Sequence, residues 1–90
     1  MGDPVVDELR AQITAADREL VAAFNRRLEL VARLWRHKGE HGIPVVDAER
    51  ERQIADQLAA ANAGPLSEEG LRELVAAVLA LTKKELSRSR

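Results

Sequence analysis

The sequence predicts an all-α protein of three unequal helices that associates into a dimer or higher oligomer. Three observations carry that expectation. From Val5 to about Lys38 the chain contains neither proline nor glycine and repeats apolar side chains at three-and-four spacing, the period of a helix with one apolar face. Two shorter stretches, after Asp47 and after Ser67, repeat the pattern, and glycine- and proline-bearing segments separate all three. The first stretch is also too long for its chain. A helix of about 34 residues spans about 50 Å at 1.5 Å per residue, whereas a compact chain of 90 residues has a radius of gyration of about 12 Å. One copy cannot cover its own longest helix, so a second copy is expected to pack on the exposed stripe.

Each element can be justified in turn. Asp3 is an N-cap, and Pro4 takes the first helical position, where its missing N–H would have had no partner. Asp7 and Glu8 place negative charge near the positive end of the helix dipole. The apolar line then runs Val6, Leu9, Ile13, Ala16, Leu20, Phe24, Val31 and Leu34. The helix should fade between His37 and Gly42, because two glycines weaken it and the second suits a C-terminal stop. Pro44 biases Ile43 to extended backbone, so GIPVV reads as a loop able to bury Val45 or Val46. Asp47 caps a second helix with Ile54, Leu58 and Ala61 as its apolar side, closed by Asn62-Ala63-Gly64-Pro65. Ser67 caps a third, with Leu71, Leu74, Val75, Val78 and Leu79 leading toward Thr82 and Leu86. Lys83, Lys84 and Arg88 suit its negative end, and the terminal SRSR is expected to fray. Residues 1–90 thus read as a single helical domain, without strands, repeats or linkers.

Composition narrows the function classes. With 14 basic and 15 acidic residues the net charge is −1, which provides no electrostatic footprint for nucleic acid or an anionic membrane. There is no cysteine, so disulfides and thiolate metal sites are excluded. The N-terminus lacks the order of a signal peptide, and no apolar run approaches a membrane span. A cytoplasmic protein is the expectation.

The informative residues are polar ones on apolar faces. Arg27 falls between Phe24 and Val31, and Lys38 falls one turn beyond Leu34; a cation on a buried face is costly unless an anion meets it. The two point within about 20° of one another and lie about 16 Å apart along the axis, so both can reach a ligand between them. Arg10 is about 25 Å from Arg27 and roughly 100° around, so any share it takes in the same site comes from a partner helix. Glu51 lies on the inner side of the second helix, with Asp47 and Arg50 beside it, and Thr82 offers a hydroxyl on the third. Structural readings stand beside these: an internal ion pair of Arg27 with Glu51 or Asp47, Arg10 paired with Asp7 or Asp17, Asp47 as a plain N-cap, Arg50 in a surface charge run, Lys38 snorkelling to solvent, and Thr82 bonding back to its own helix. His37 and His41 stand four apart with no third ligand evident, and no metal is expected.

The run LRAQITAADRELVAAFNRRLELVARLWRHK followed by GIPVVDAERERQI resembles the small all-helical chorismate mutases. The shared features are an L-R-x-x-I-x-x-x-D-x-x-L opening, R-R-x-E-L-V, a lysine near the end of the long helix, and P-V-x-D-x-x-R-E. The spacing matches without a gap from Leu9 to Ile54, and the third helix aligns as well. The resemblance implies an intertwined helical homodimer with active sites shared between chains, rearranging chorismate to prephenate in aromatic amino acid biosynthesis. By the same resemblance Arg10 comes from the partner chain, Arg27 binds a substrate carboxylate, and Lys38 approaches the ether oxygen. Asp47, Arg50 and Glu51 surround the ring hydroxyl, and Thr82 replaces a family serine beside a carboxylate.

The chemistry suits those residue types. Chorismate is a dianion whose Claisen rearrangement requires a folded conformer and relief of negative charge on the breaking ether oxygen, with no cofactor. Arginines on the carboxylates fix the conformer, and a lysine at the ether oxygen acts more strongly in the transition state than in the ground state. One position departs from the family: Leu86 stands where a glutamine or protonated glutamate usually donates to that oxygen. The expectation is a slower mutase relying on Lys38, or a relative tuned to another substrate. An isochorismate-pyruvate lyase, a 4-amino-4-deoxychorismate mutase and a non-catalytic helical dimerisation module are the alternatives. Some relatives gain activity from a larger synthase partner, and nothing in this sequence specifies one.

Overall fold

A computed structural model of the chain describes residues 2–88. Among the described residues there are three helices, α1 (Pro4–Glu40), α2 (Ala48–Ala61) and α3 (Glu68–Arg88), and no strand. Of the terminal segment expected to fray, Ser87 and Arg88 are helical, while Ser89 and Arg90 lie outside the described residues. Internal contacts divide the chain into a first unit ending at Val31 and a second beginning at Ala32. No helix among the described residues is long and apolar enough to cross a membrane.

The first unit is helix throughout from Pro4. The Asp3 carboxylate accepts the N–H of Val5 at 2.8 Å and of Val6 at 3.4 Å, so the expected cap is in place. No residue of α1 is buried. Leu9, Ile13 and Leu20, on the predicted apolar line, are 51%, 59% and 64% exposed, which is far more apolar surface than isolated exposed side chains represent. Phe24, Arg27, Leu28 and Val31 are half-buried.

In the second unit α1 continues through Gly39 and ends at Glu40, within the expected fade between His37 and Gly42. A single glycine costs a helix only about 1 kcal/mol, and the stop that follows is strong. Gly42 has φ of 64°, and the Ile43 N–H donates to the Lys38 carbonyl at 2.8 Å, the bonding of a Schellman turn. Gly42 is therefore the stop foreseen for it. Asp47 caps α2 by accepting the Arg50 N–H at 3.0 Å, and Asn62 closes it. The Asn62 side chain donates to the Leu66 carbonyl at 2.7 Å and accepts the Gly64 N–H at 3.2 Å. Ser67 caps α3 through the Gly70 N–H at 3.0 Å. A Cβ on Gly70 would come within 3.0 Å of a Leu66 methyl and 3.1 Å of the Ser67 hydroxyl, so this turn is shaped around a missing side chain.

Helices α2 and α3 pack against one another. Among the described residues the buried ones are Leu71, Val75 and Thr82, all on α3. Ile54, Ala55 and Ala59 of α2 are half-buried, and Leu58 is exposed. The expected apolar side of α2 is thus only partly covered, with Ile54 half-buried and Leu58 and Ala61 exposed. Leu74, expected in the core line of α3, is also exposed, since the packed line follows Leu71, Val75, Val78 and Thr82. Arg72 joins the two helices at one end, 3.2 Å from Asp56 and 3.3 Å from Glu68. Hydrogen bonding to Glu68 first, and then to Asp56, raises its pKa further above the ordinary arginine value.

Candidate functional site

The predicted site residues divide between the units. Arg10 and Arg27 belong to the first. Arg10 is exposed, and among the described residues no ion pair joins it to Asp7 or Asp17. Arg27 is half-buried in a mostly exposed helix.

Lys38, Asp47, Arg50, Glu51, Thr82 and Leu86 belong to the second unit. Lys38 is half-buried and its ammonium donates to the Val45 carbonyl at 3.3 Å. The Gly42 stop makes this possible: it turns the chain back after Ile43, so the GIPVV loop passes beside the last turn of α1. An ammonium carries three donors and Val45 takes one, so Lys38 is oriented by the loop without being used up by it.

Asp47, Arg50 and Glu51 sit together at the start of α2. The carboxylate of Asp47 is engaged as the cap, in agreement with its structural reading, and Arg50 supplies the capped N–H while its side chain is exposed. Glu51 faces inward. Its side chain is 27% exposed and forms an ion pair with Lys83 of α3 at 2.6 Å. Lys83 is 42% exposed, so solvent screens the pair and its main effect is to fix the direction of the Glu51 carboxylate. Thr82 is 3% exposed, and its hydroxyl donates to the Val78 carbonyl at 2.6 Å. The back-bond fixes the direction of the hydroxyl, whose oxygen can also act as an acceptor. Leu86, half-buried, follows Thr82 by one turn and gives the same side of α3 an apolar end.

The residue that sequence reasoning missed is Lys83. Along its own helix it reads only as a cation at the negative end. Its partner lies 32 positions away on another helix, and only the pairing of helix faces relates the two. His37 and His41 stack at 4.1 Å between centroids, with His41 Nδ1 2.9 Å from the His37 carbonyl. Among the described residues no group of three or more potential metal ligands gathers.

The second unit thus carries an oriented ammonium at the end of α1, a capped N-terminus on α2, a carboxylate of α2 paired with a lysine of α3, and a buried hydroxyl on α3. It holds groups for binding and charge stabilisation.

Comparison with known proteins gives a consistent picture. The family described as chorismate mutase type II matches residues 9–85. The solved structure of a chorismate mutase (form II) from Thermus thermophilus is similar over 92% of this chain and 94% of that one, with a TM-score of 0.86 and 28% identity. A bifunctional chorismate mutase/prephenate dehydratase of Aquifex aeolicus is 33% identical over 85 residues, 86% of this chain and 24% of that protein. A 4-amino-4-deoxychorismate mutase of Streptomyces venezuelae is 33% identical over 54 residues, 60% of this chain and 52% of that protein. The chain spans from 12% to 52% of the length of the curated relatives it matches.

Proposed function

The chain belongs to the chorismate mutase type II family, and from that premise we propose that it rearranges chorismate to prephenate, as a homodimer whose two active sites each draw on both chains. The observation that carries this reading is the family match from residue 9 to residue 85, which takes in every proposed polar site residue. In the reaction the ether C–O bond breaks as a C–C bond forms, within one molecule and with no net transfer of protons or electrons. The protein's task is to hold the folded conformer and to meet charge as it develops.

Arg27 and the partner subunit's Arg10 bind the substrate carboxylates, where a guanidinium makes two parallel hydrogen bonds. Lys38 donates to the ether oxygen. Asp47, Arg50 and Glu51 surround the ring hydroxyl, and Thr82 lies beside a carboxylate. The Leu86 side chain contributes shape and dryness but has no donor, so Lys38 alone answers the charge on the ether oxygen. No cofactor or metal enters the scheme. Residues 1–90 act as one functional domain, and the proposed location is the cytoplasm.

The dimer is supported by the exposed apolar line of α1, a surface suited to a second copy. A second substrate should be assayed beside chorismate, because the Streptomyces venezuelae relative is named for 4-amino-4-deoxychorismate.

Loss of chorismate absorbance on addition of the purified protein tests the reading. Wild type is expected to consume chorismate, and Arg27→Ala to lower kcat/KM by about a hundredfold. A folded, dimeric wild type that leaves chorismate untouched refutes the proposal.

A further inference from the structure

The ion pair between Glu51 and Lys83 is not used by the reaction scheme, and it changes what Glu51 can recognise. The Lys83 ammonium is 2.6 Å from the Glu51 carboxylate, with side chains 42% and 27% exposed, so the carboxylate already has a cation against it. The geometry is held independently of the pair. Thr82, the residue before Lys83, is buried with Leu71 and Val75, and Arg72 ties α3 to Asp56 of α2 elsewhere along the helices.

A carboxylate matched by an ammonium still accepts a hydrogen bond from a neutral hydroxyl, because each carboxylate has about four lone-pair sites. A ligand ammonium at the same place meets a different field. It would be the second cation on one carboxylate, and its repulsion from Lys83 cancels much of what Glu51 provides. An unpaired glutamate would favour the amine; the paired one favours the hydroxyl.

We propose that Lys83 is a specificity-determining residue: by pairing with Glu51 it makes the site accept a neutral hydroxyl on the substrate ring and reject an ammonium at that position. The inference rests on the chorismate mutase reading and on the placement of Glu51 beside the ring hydroxyl. Lys83 itself touches neither the substrate nor the reacting atoms; it acts through Glu51.

The test compares kcat/KM for chorismate and for 4-amino-4-deoxychorismate in wild type, Lys83→Met and Lys83→Arg, with circular dichroism to establish that each is folded. Wild type is expected to prefer chorismate. In Lys83→Met the amine-to-hydroxyl ratio should rise by about tenfold, because a like-charge clash has been removed, while Lys83→Arg should keep the ratio within about threefold of wild type. Lys83→Gln, which removes the charge and keeps a hydrogen-bond donor, reports the same ratio if Lys83→Met loses its helical signal. A wild type that prefers the amine, or a folded neutral variant whose ratio moves by less than about threefold, overturns the role of Lys83. A wild type active on neither substrate overturns the mutase reading together with this inference, so the two failures are distinguishable.

Discussion

Replacement of Lys38 by methionine removes one ammonium while keeping the length and apolar stem of the side chain. Lys38 is half-buried, with its ammonium 3.3 Å from the Val45 carbonyl, so two effects separate cleanly. The structural effect is the loss of one solvent-accessible hydrogen bond to a backbone carbonyl, worth about 1 kcal/mol; for a chain of this size that shifts Tm by about 4–8 °C. The catalytic effect is larger. A full charge 4 Å away at an effective dielectric constant of about 20 is worth about 4 kcal/mol. If about half a charge develops on the ether oxygen, about 2 kcal/mol is lost from the transition state, or about thirtyfold in rate. Losses of about 10² to 10³ accompany removal of an oxyanion donor in a dry site, and Leu86 offers no substitute donor here, so kcat should fall by about 30- to 1,000-fold. KM should change by less than about fivefold, because the arginines proposed to bind the carboxylates are untouched. Steady-state rates from chorismate absorbance, with thermal unfolding on the same samples, measure both effects. A Lys38→Met protein with the modest Tm loss and a kcat within about threefold of wild type would refute the electrostatic argument and leave Lys38 as a strut for the loop.

Three further outcomes follow from the same geometry. Gly42→Ala puts a Cβ on a residue with φ of 64° and should cost about 1–2 kcal/mol of stability, read by chemical denaturation, with open space around the position ruling out a clash as the cause. Leu20→Asp places a charge in the exposed apolar line of α1 and should raise the dimer dissociation constant by at least about tenfold in sedimentation equilibrium; an unchanged mass at low concentration would refute a dimer formed through that face. Leu86→Gln should raise kcat on chorismate by about tenfold if the missing donor limits the rate, and an unchanged kcat would show that position 86 does not.

Local chemistry makes much of the fold legible from the chain alone. Asp3, Asp47 and Ser67 are readable as caps, and Gly42 as a stop, because capping depends on neighbours three or four positions away. The faces of α2 and α3 are less legible. Leu58 and Leu74 obey helical periodicity, which points them inward, yet both are exposed, because which part of a broad apolar arc packs is decided by the opposing helix. Within the candidate site the same division holds. The cap role of Asp47 and the back-bond of Thr82 are local, and the sequence offers both as structural readings. The hold of Val45 on Lys38 depends on how a loop returns, and the Glu51–Lys83 pair on how two helices meet, and periodicity encodes neither.

The turn at Gly42 grips Lys38 at both ends: Ile43 takes its backbone carbonyl and Val45 orients its ammonium. Residues 38 to 45 therefore behave as a gauge of fixed length. One residue inserted between Lys38 and Gly42 would rotate the lysine by about 100° and shift it by about 1.5 Å relative to the stop, breaking both attachments at once. The protein should tolerate many substitutions in this segment and almost no change in its length, whereas the stretch between Asn62 and Ser67, which positions no reacting group, should accept additional residues with little effect on turnover.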